Sequence, residues 1–168
     1  MTIKLSRRPF IFIGVYCLIG WHPQAAWSKT IQPTRSSHSM VTSAHLLATQ
    51  SGLAILKQGG NAVDAATATA LALSVVEPFS TGIGGGGFLL FRQAETGAIK
   101  ALDFREKAPL KATSTMYLDA QGKVRPKAST DGYLAVGVPG TIAGLAEVHQ
   151  RYGRLPWATV VRPAIGLA

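Results

Sequence analysis

One cysteine, eight acidic residues and four histidines among 168 positions leave few routes to chemistry. The cysteine, Cys17, lies inside an N-terminal apolar run. The rest of the chain therefore has no disulfide, no thiol nucleophile and no thiolate metal site. The histidines, His22, His38, His45 and His149, show no metal-ligand spacing to one another, so no metal and no cofactor is assigned. No G-x-S-x-G is present to make a serine nucleophile elbow. Charged residues of either sign are scarce at 15%, against 47% hydrophobic, which excludes a mostly disordered chain. The net charge is +9, yet there is no arginine-rich helix and no interleaving of basic with aromatic residues. A nucleic-acid partner is therefore not expected, and the basic residues read as a solvated face that favours anionic small molecules.

Acid is missing most completely at the start. Residues 1–28 hold Lys4, Arg7 and Arg8 and no acid; without them 14 basic residues face 8 acidic ones, a balance of +6. Phe10 to Gly20 form an apolar core too short to span a bilayer stably, and Ala26-Trp27-Ser28 offers small residues at −3 and −1. Residues 1–28 are predicted to be a secretory signal peptide cleaved before Lys29, with a retained anchor as the alternative. The expected destination is the periplasm or the cell exterior, with no membrane attachment after cleavage. Residues 29–39 are polar and read as a flexible mature N-terminus.

Residues 40–168 carry the folding pattern. Met40-Val41-Thr42 reads as a short strand. Ala44 to Gln58 reads as a helix stopped by Gly59-Gly60, one of them free to turn left-handed. Asn61 is placed as the cap of a second helix, Ala62 to about Val76, with Asp64 at its third position to answer early N–H groups. That helix is small and apolar all round, which predicts burial on several sides. Phe88–Phe91 and Ala98–Phe104 read as a hairpin about Ala94-Glu95-Thr96-Gly97, the first strand covered on both faces. Tyr133 to Val138 is a further strand candidate. Thr141 to Tyr152 reads as a helix ended by Gly153, and Pro156 opens another that Pro163 interrupts. The sequence ends at Ala168 within an apolar helical pattern without a cap and reads as truncated.

Two stretches invite a ligand. Gly84-Gly85-Gly86-Gly87 has the look of a phosphate loop, but it lacks a following Lys-Ser/Thr and opens a strand, not a helix. Packing glycines, allowing positive-φ turns and close backbone approach, are the other reading. Asp103 and Glu106 flank Arg105 as catalytic acids or as its ion-pair partners. Arg105, at a strand end, is either a structural arginine or a carboxylate-recognising one, since a planar guanidinium binds carboxylates through paired hydrogen bonds.

G-G-N-A-V-D-A-A at 59–66, G-I-G-G-G-G-F at 82–88, D-F-R-E-K-A-P at 103–109 and G-V-P-G-T-I-A-G at 137–144 occur in this order. Together they resemble the N-terminal part of the large subunit of gamma-glutamyltransferases (glutathione hydrolases), over about Met40 to Ala168. Cephalosporin acylases and a capsule-anchoring transpeptidase share much of the pattern.

The resemblance implies an α+β fold, the four-layer αββα sandwich of N-terminal-nucleophile hydrolases, with only its N-terminal portion present. It implies a precursor that cleaves itself, whose small subunit opens with a threonine that attacks the gamma-glutamyl amide. Water or an amino acid then takes the acyl group. The implied partners are glutathione or other gamma-glutamyl compounds, together with the remainder of the precursor and the small subunit. Arg105 is implied to bind the substrate's α-carboxylate. No catalytic residue falls in this chain, because no Thr-Thr-His motif is present. Alternatives are a fragment of a cephalosporin or glutaryl acylase, and a non-catalytic binding protein.

Overall fold

In the computed structural model, the longest buried element is α2, Ala62–Val76. Its start is set by Asn61, whose side-chain oxygen accepts from the N–H groups of Val63 and Asp64, while Asp64 answers the Asn61 N–H at 2.8 Å. This reciprocal cap is the one predicted from the sequence. Val63, Ala65, Ala68, Leu71 and Ala72 are all buried, so small side chains on several faces do let other helices close in.

The structure describes residues 33–168, of which Ser36–Ala168 form one unit. The signal peptide expected over 1–28 lies outside the described residues, as do positions 29–32. Helix α1, Leu46–Lys57, packs against α2; it is followed by Gly59 at φ +88°, the left-handed stop predicted for the glycine pair. Strands β1, Phe88–Arg92, and β2, Ile99–Asp103, form an antiparallel hairpin with Phe88 opposite Asp103 and Arg92 opposite Ile99. Helices α3, Thr141–Tyr152, and α4, Trp157–Leu167, then return to α2. Two apolar clusters hold the helices: Ile55, Ala68 and Val160 with Leu155, and Leu71, Leu145 and Ala164 with Val75 and Val161. The valine, leucine and isoleucine side chains among them each contribute about 1.5–3 kcal/mol when fully buried.

Four expectations are corrected. Met40-Val41-Thr42 forms no ladder; Val41 instead lies near Gly52, where α1 and α2 come close, and among the described residues no strand is there to pair with. Tyr133–Ala135 is a 3-10 turn following Gly132 at φ +81°, and Val138 pairs only with Lys107. A fully exposed Tyr133 has no face to bury, so the segment gains nothing from extending. Helix α4 runs through Pro163 without a break. Packing of Val160 and Ala164 on α2 outweighs the one backbone bond a proline removes. Strand β1 is covered on one face only: Phe88 and Leu90 are exposed, while Phe91 stacks on Tyr152 of α3 at 5.1 Å between ring centroids.

Asp64 does more than cap its helix. It is fully buried, and its carboxylate accepts from the Arg154 N–H at 3.0 and 3.1 Å and more weakly from Leu155 N–H at 3.4 Å. His149 Nε2 on α3 lies 3.3 Å from Asp64 and 3.1 Å from the Leu155 carbonyl. Both neighbours of that nitrogen are acceptors, so it carries a hydrogen. One carboxylate thus joins the start of α2 to the α3–α4 turn. Asp64→Ala leaves several buried N–H groups unanswered and is expected to cost about 3 kcal/mol or more in urea unfolding. Asp64→Asn, which keeps the volume but points an NH2 at donors, is expected to recover only part of that loss.

Candidate substrate-carboxylate site

Residues 103–107 leave the end of β2 and are held by backbone bonds on each side. The Phe104 N–H donates to the Gly87 carbonyl at 3.0 Å, and the Arg105 N–H to Asp103 Oδ1 at 2.9 Å. Lys107 and Val138 exchange both of their backbone bonds, at 3.1 and 2.8 Å. The Arg105 backbone is therefore fixed, while its side chain remains 64% exposed. Its Nε lies 3.5 Å from Glu106 Oε2, and among the described residues its two terminal nitrogens have no hydrogen-bond partner. A guanidinium oriented by one acid and open at its fork is suited to a planar, doubly accepting anion.

Of the two acids flanking Arg105, Glu106 pairs with its side chain and Asp103 turns its backbone. The ion-pair reading therefore holds for Glu106 alone, while Asp103 holds the Arg105 peptide and not its guanidinium. Arg105 borders a cavity of about 330 Å³ with Lys107, Val138, Pro139 and Glu147. Glu147 itself is engaged by Arg151 one turn further along α3. Among the described residues no group of three histidine, cysteine or acidic side chains gathers. His45, considered as a ligand in the sequence, caps α1 by accepting the Leu47 N–H on Nδ1 at 3.2 Å.

The glycine run lies behind this site. None of its four members has a positive φ, so the turn half of the packing reading is corrected. The close-approach half holds: a Cβ on Gly86 would fall 2.6 Å from the Phe104 carbonyl oxygen and closer still to the Glu106 nitrogen. The Gly85 carbonyl accepts from Gly140 N–H at 2.8 Å and Thr141 N–H at 3.1 Å, which supplies α3 with the N-terminal cap its own side chains lack. The run therefore packs against the arginine-bearing segment and the start of α3. Sequence reasoning gave Phe104 and the G-V-P-G-T-I-A-G stretch no role in the site. The signal available was the pair Gly140 and Gly144, one turn apart on a single helix face.

Solved structures that share this fold include gamma-glutamyltranspeptidases and related N-terminal-nucleophile hydrolases. The sequence profile described as gamma-glutamyltranspeptidase matches residues 48–168, and the chain belongs to that family. A glutathione hydrolase proenzyme of Pseudomonas sp. (strain A14) is 49% identical over 136 residues, which is 81% of this chain and 24% of that protein. The crystal structure of Helicobacter pylori gamma-glutamyltranspeptidase matches with a TM-score of 0.76 at 50% identity, covering 82% of this chain and 39% of that one. A cephalosporin acylase from Bacillus halodurans matches with a TM-score of 0.59 at 35% identity, over 82% of this chain and 27% of the other. The chain thus spans about a quarter of the length of the curated relatives it matches.

Gly86→Ala is expected to lower stability by about 2–3 kcal/mol, because the new methyl group meets backbone that cannot rotate away. Gly84, with nothing within 4 Å of its would-be Cβ, is the control. Gly84→Ala is expected to shift the urea midpoint by less than about 0.5 kcal/mol equivalent.

Proposed function

We propose that this chain is the N-terminal part of the large subunit of an exported gamma-glutamyltransferase. Its substrates are glutathione and related gamma-glutamyl amides. Arg105 binds the α-carboxylate of the gamma-glutamyl group and holds the amide for a threonine nucleophile supplied by the small subunit. That threonine attacks the amide carbonyl with its own α-amine as base, the amine of the substrate leaves, and water or an amino acid releases the acyl group. The contribution of this chain is recognition and placement: binding the carboxylate fixes the amide a set number of bonds away from it.

The observation that carries the reading is the open fork of Arg105 beside a cavity, within a chain of this family. The acylase alternative has less support, at 35% identity against 50%. A non-catalytic binding protein finds no specific observation in its favour. In the proposed four-layer sandwich, the uncovered face of the hairpin, with Phe88, Leu90 and Ile99, is where the fold continues.

Losing a bidentate, charge-assisted contact is worth about 2–3 kcal/mol, so Arg105→Ala is expected to raise KM for a gamma-glutamyl anilide about 100-fold. The value of kcat should stay within about threefold, since the interaction is made equally in the ground and transition states. Arg105→Lys, a point charge without a fork, is expected to fall between, at about tenfold. Steady-state kinetics on the enzyme expressed from its complete reading frame checks both, and an unchanged KM overturns the assignment. Export is proposed from the basic start, short apolar core and Ala26-Trp27-Ser28 of the sequence. Mass spectrometry of periplasmic or culture-medium protein is expected to find the mature N-terminus at Lys29.

A further inference from the structure

We infer that Phe104 is a positioning residue for Arg105, and that Gly87, Gly140 and Gly144 form the socket that holds it. The inference rests on the reading of Arg105 as the carboxylate-binding group. It adds the residues that decide where that group stands.

Three separate stretches of backbone close over this one residue. Gly87 precedes β1, and a Cβ there would lie 3.0 Å from Cε2 and 3.2 Å from Cζ of the Phe104 ring. Gly144 is in the first turn of α3, and a Cβ there would lie 2.5 Å from Phe104 Cβ and 2.6 Å from Cδ1, with Cγ nearer still. Gly140 caps α3, and a Cβ there would overlap the Phe104 carbonyl outright. A Cβ at Gly144 would collide with the phenylalanine side chain, one at Gly87 would press on its ring, and one at Gly140 would collide with its backbone carbonyl, so the first two glycines answer the ring and the third answers the peptide. The ring lies between β1 and α3, and the Phe104 N–H bond to Gly87 fastens the peptide on the same side.

The consequence falls on the next residue. The guanidinium of Arg105 is mostly exposed, and Glu106 turns it through Nε without fixing how far it reaches. Its location follows from its Cα, and that follows from Phe104 on one side and the Lys107–Val138 bridge on the other. A bidentate clamp needs its two N–H groups placed to within about 0.5 Å, and a misplacement of 1 Å costs about 100-fold. A phenylalanine that merely filled the core would affect stability without acting through the arginine.

The test is a mutant cycle on the enzyme expressed from its complete reading frame, with a gamma-glutamyl anilide as donor. Gly144→Ala is expected to lower kcat/KM about tenfold, through KM and with kcat within about threefold. Gly87→Ala, where the contact is softer, is expected to lower it about threefold. In the Arg105→Ala background each glycine change is expected to cost less than about twofold, because the group it displaces is gone. The same losses in both backgrounds, or no change in KM for either glycine variant, overturn the positioning role. If Arg105→Ala by itself leaves kcat/KM unchanged, the carboxylate reading has failed, and this inference falls with it. If Gly144→Ala does not fold, the Gly87→Ala cycle decides alone.

Discussion

A buried carboxylate has to have its oxygens answered, and the rest of this structure is arranged around how Asp64 meets that requirement. It reaches back to the Asn61 N–H, forward across some ninety residues to Arg154 and Leu155, and sideways to His149. These donors belong to the start of α2, to the α3–α4 turn and to α3. A carboxylate cannot be buried without them, and the turn cannot leave without stranding the charge. The geometry then propagates. Helix α3, held to α2 at its C-terminal end by His149, presents Gly140 and Gly144 at its N-terminal end, and those two glycines receive Phe104. The site arginine is thus two packing steps from a carboxylate that it never approaches.

Rigidity and exposure are divided within the site itself. The backbone from Asp103 to Lys107 is fastened at nearly every residue, whereas the Arg105 side chain is mostly in solvent. Its pair with Glu106 is exposed on both sides and contributes little to stability. Glu106 meets the guanidinium through Nε, which leaves the two terminal nitrogens without a partner among the described residues. A more strongly paired arginine would have to give up its partner before binding a substrate, and that cost would be subtracted from affinity.

What was legible in the sequence was local. The cap at Asn61, the stop at Gly59, the hairpin turn and the limits of α2 depend on residues within four positions of one another, and each was read correctly. Arg105 stood out because it ends a strand between two acids. Interactions spanning long separations were hidden. Asp64 reads as an N-cap partner, and nothing near it in sequence announces Arg154. Pro163 reads as a break, because a proline's local cost is visible while the burial of Val160 and Ala164 that offsets it is not. The glycine run read as turn-forming, but its conformations are ordinary. What it lacks is side chains, and the reason lies twenty residues ahead at Phe104 and Glu106.

The hairpin poses the remaining physical question. Two strands alone are marginal in water and need a third strand or a packed layer. Helix α3 covers one face, through Tyr152 against Phe91. The other face carries Phe88 and Leu90 opposite Asp103 and Ala101, with Ile99 beside Arg92, and its apolar side chains are exposed. Strand alternation puts these residues on one side, and a polar pattern there would have signalled a solvated surface. The apolar one matches a sheet built to be covered, as the sandwich proposed for this family requires. Arg105 follows the end of β2, so in the proposed sandwich layers added over Phe88 and Leu90 would narrow the water around the guanidinium. An arginine in a less watery cleft holds a carboxylate more strongly than one on an open surface. In the proposed sandwich, covering the exposed hairpin face and strengthening the arginine's hold on a carboxylate would go together.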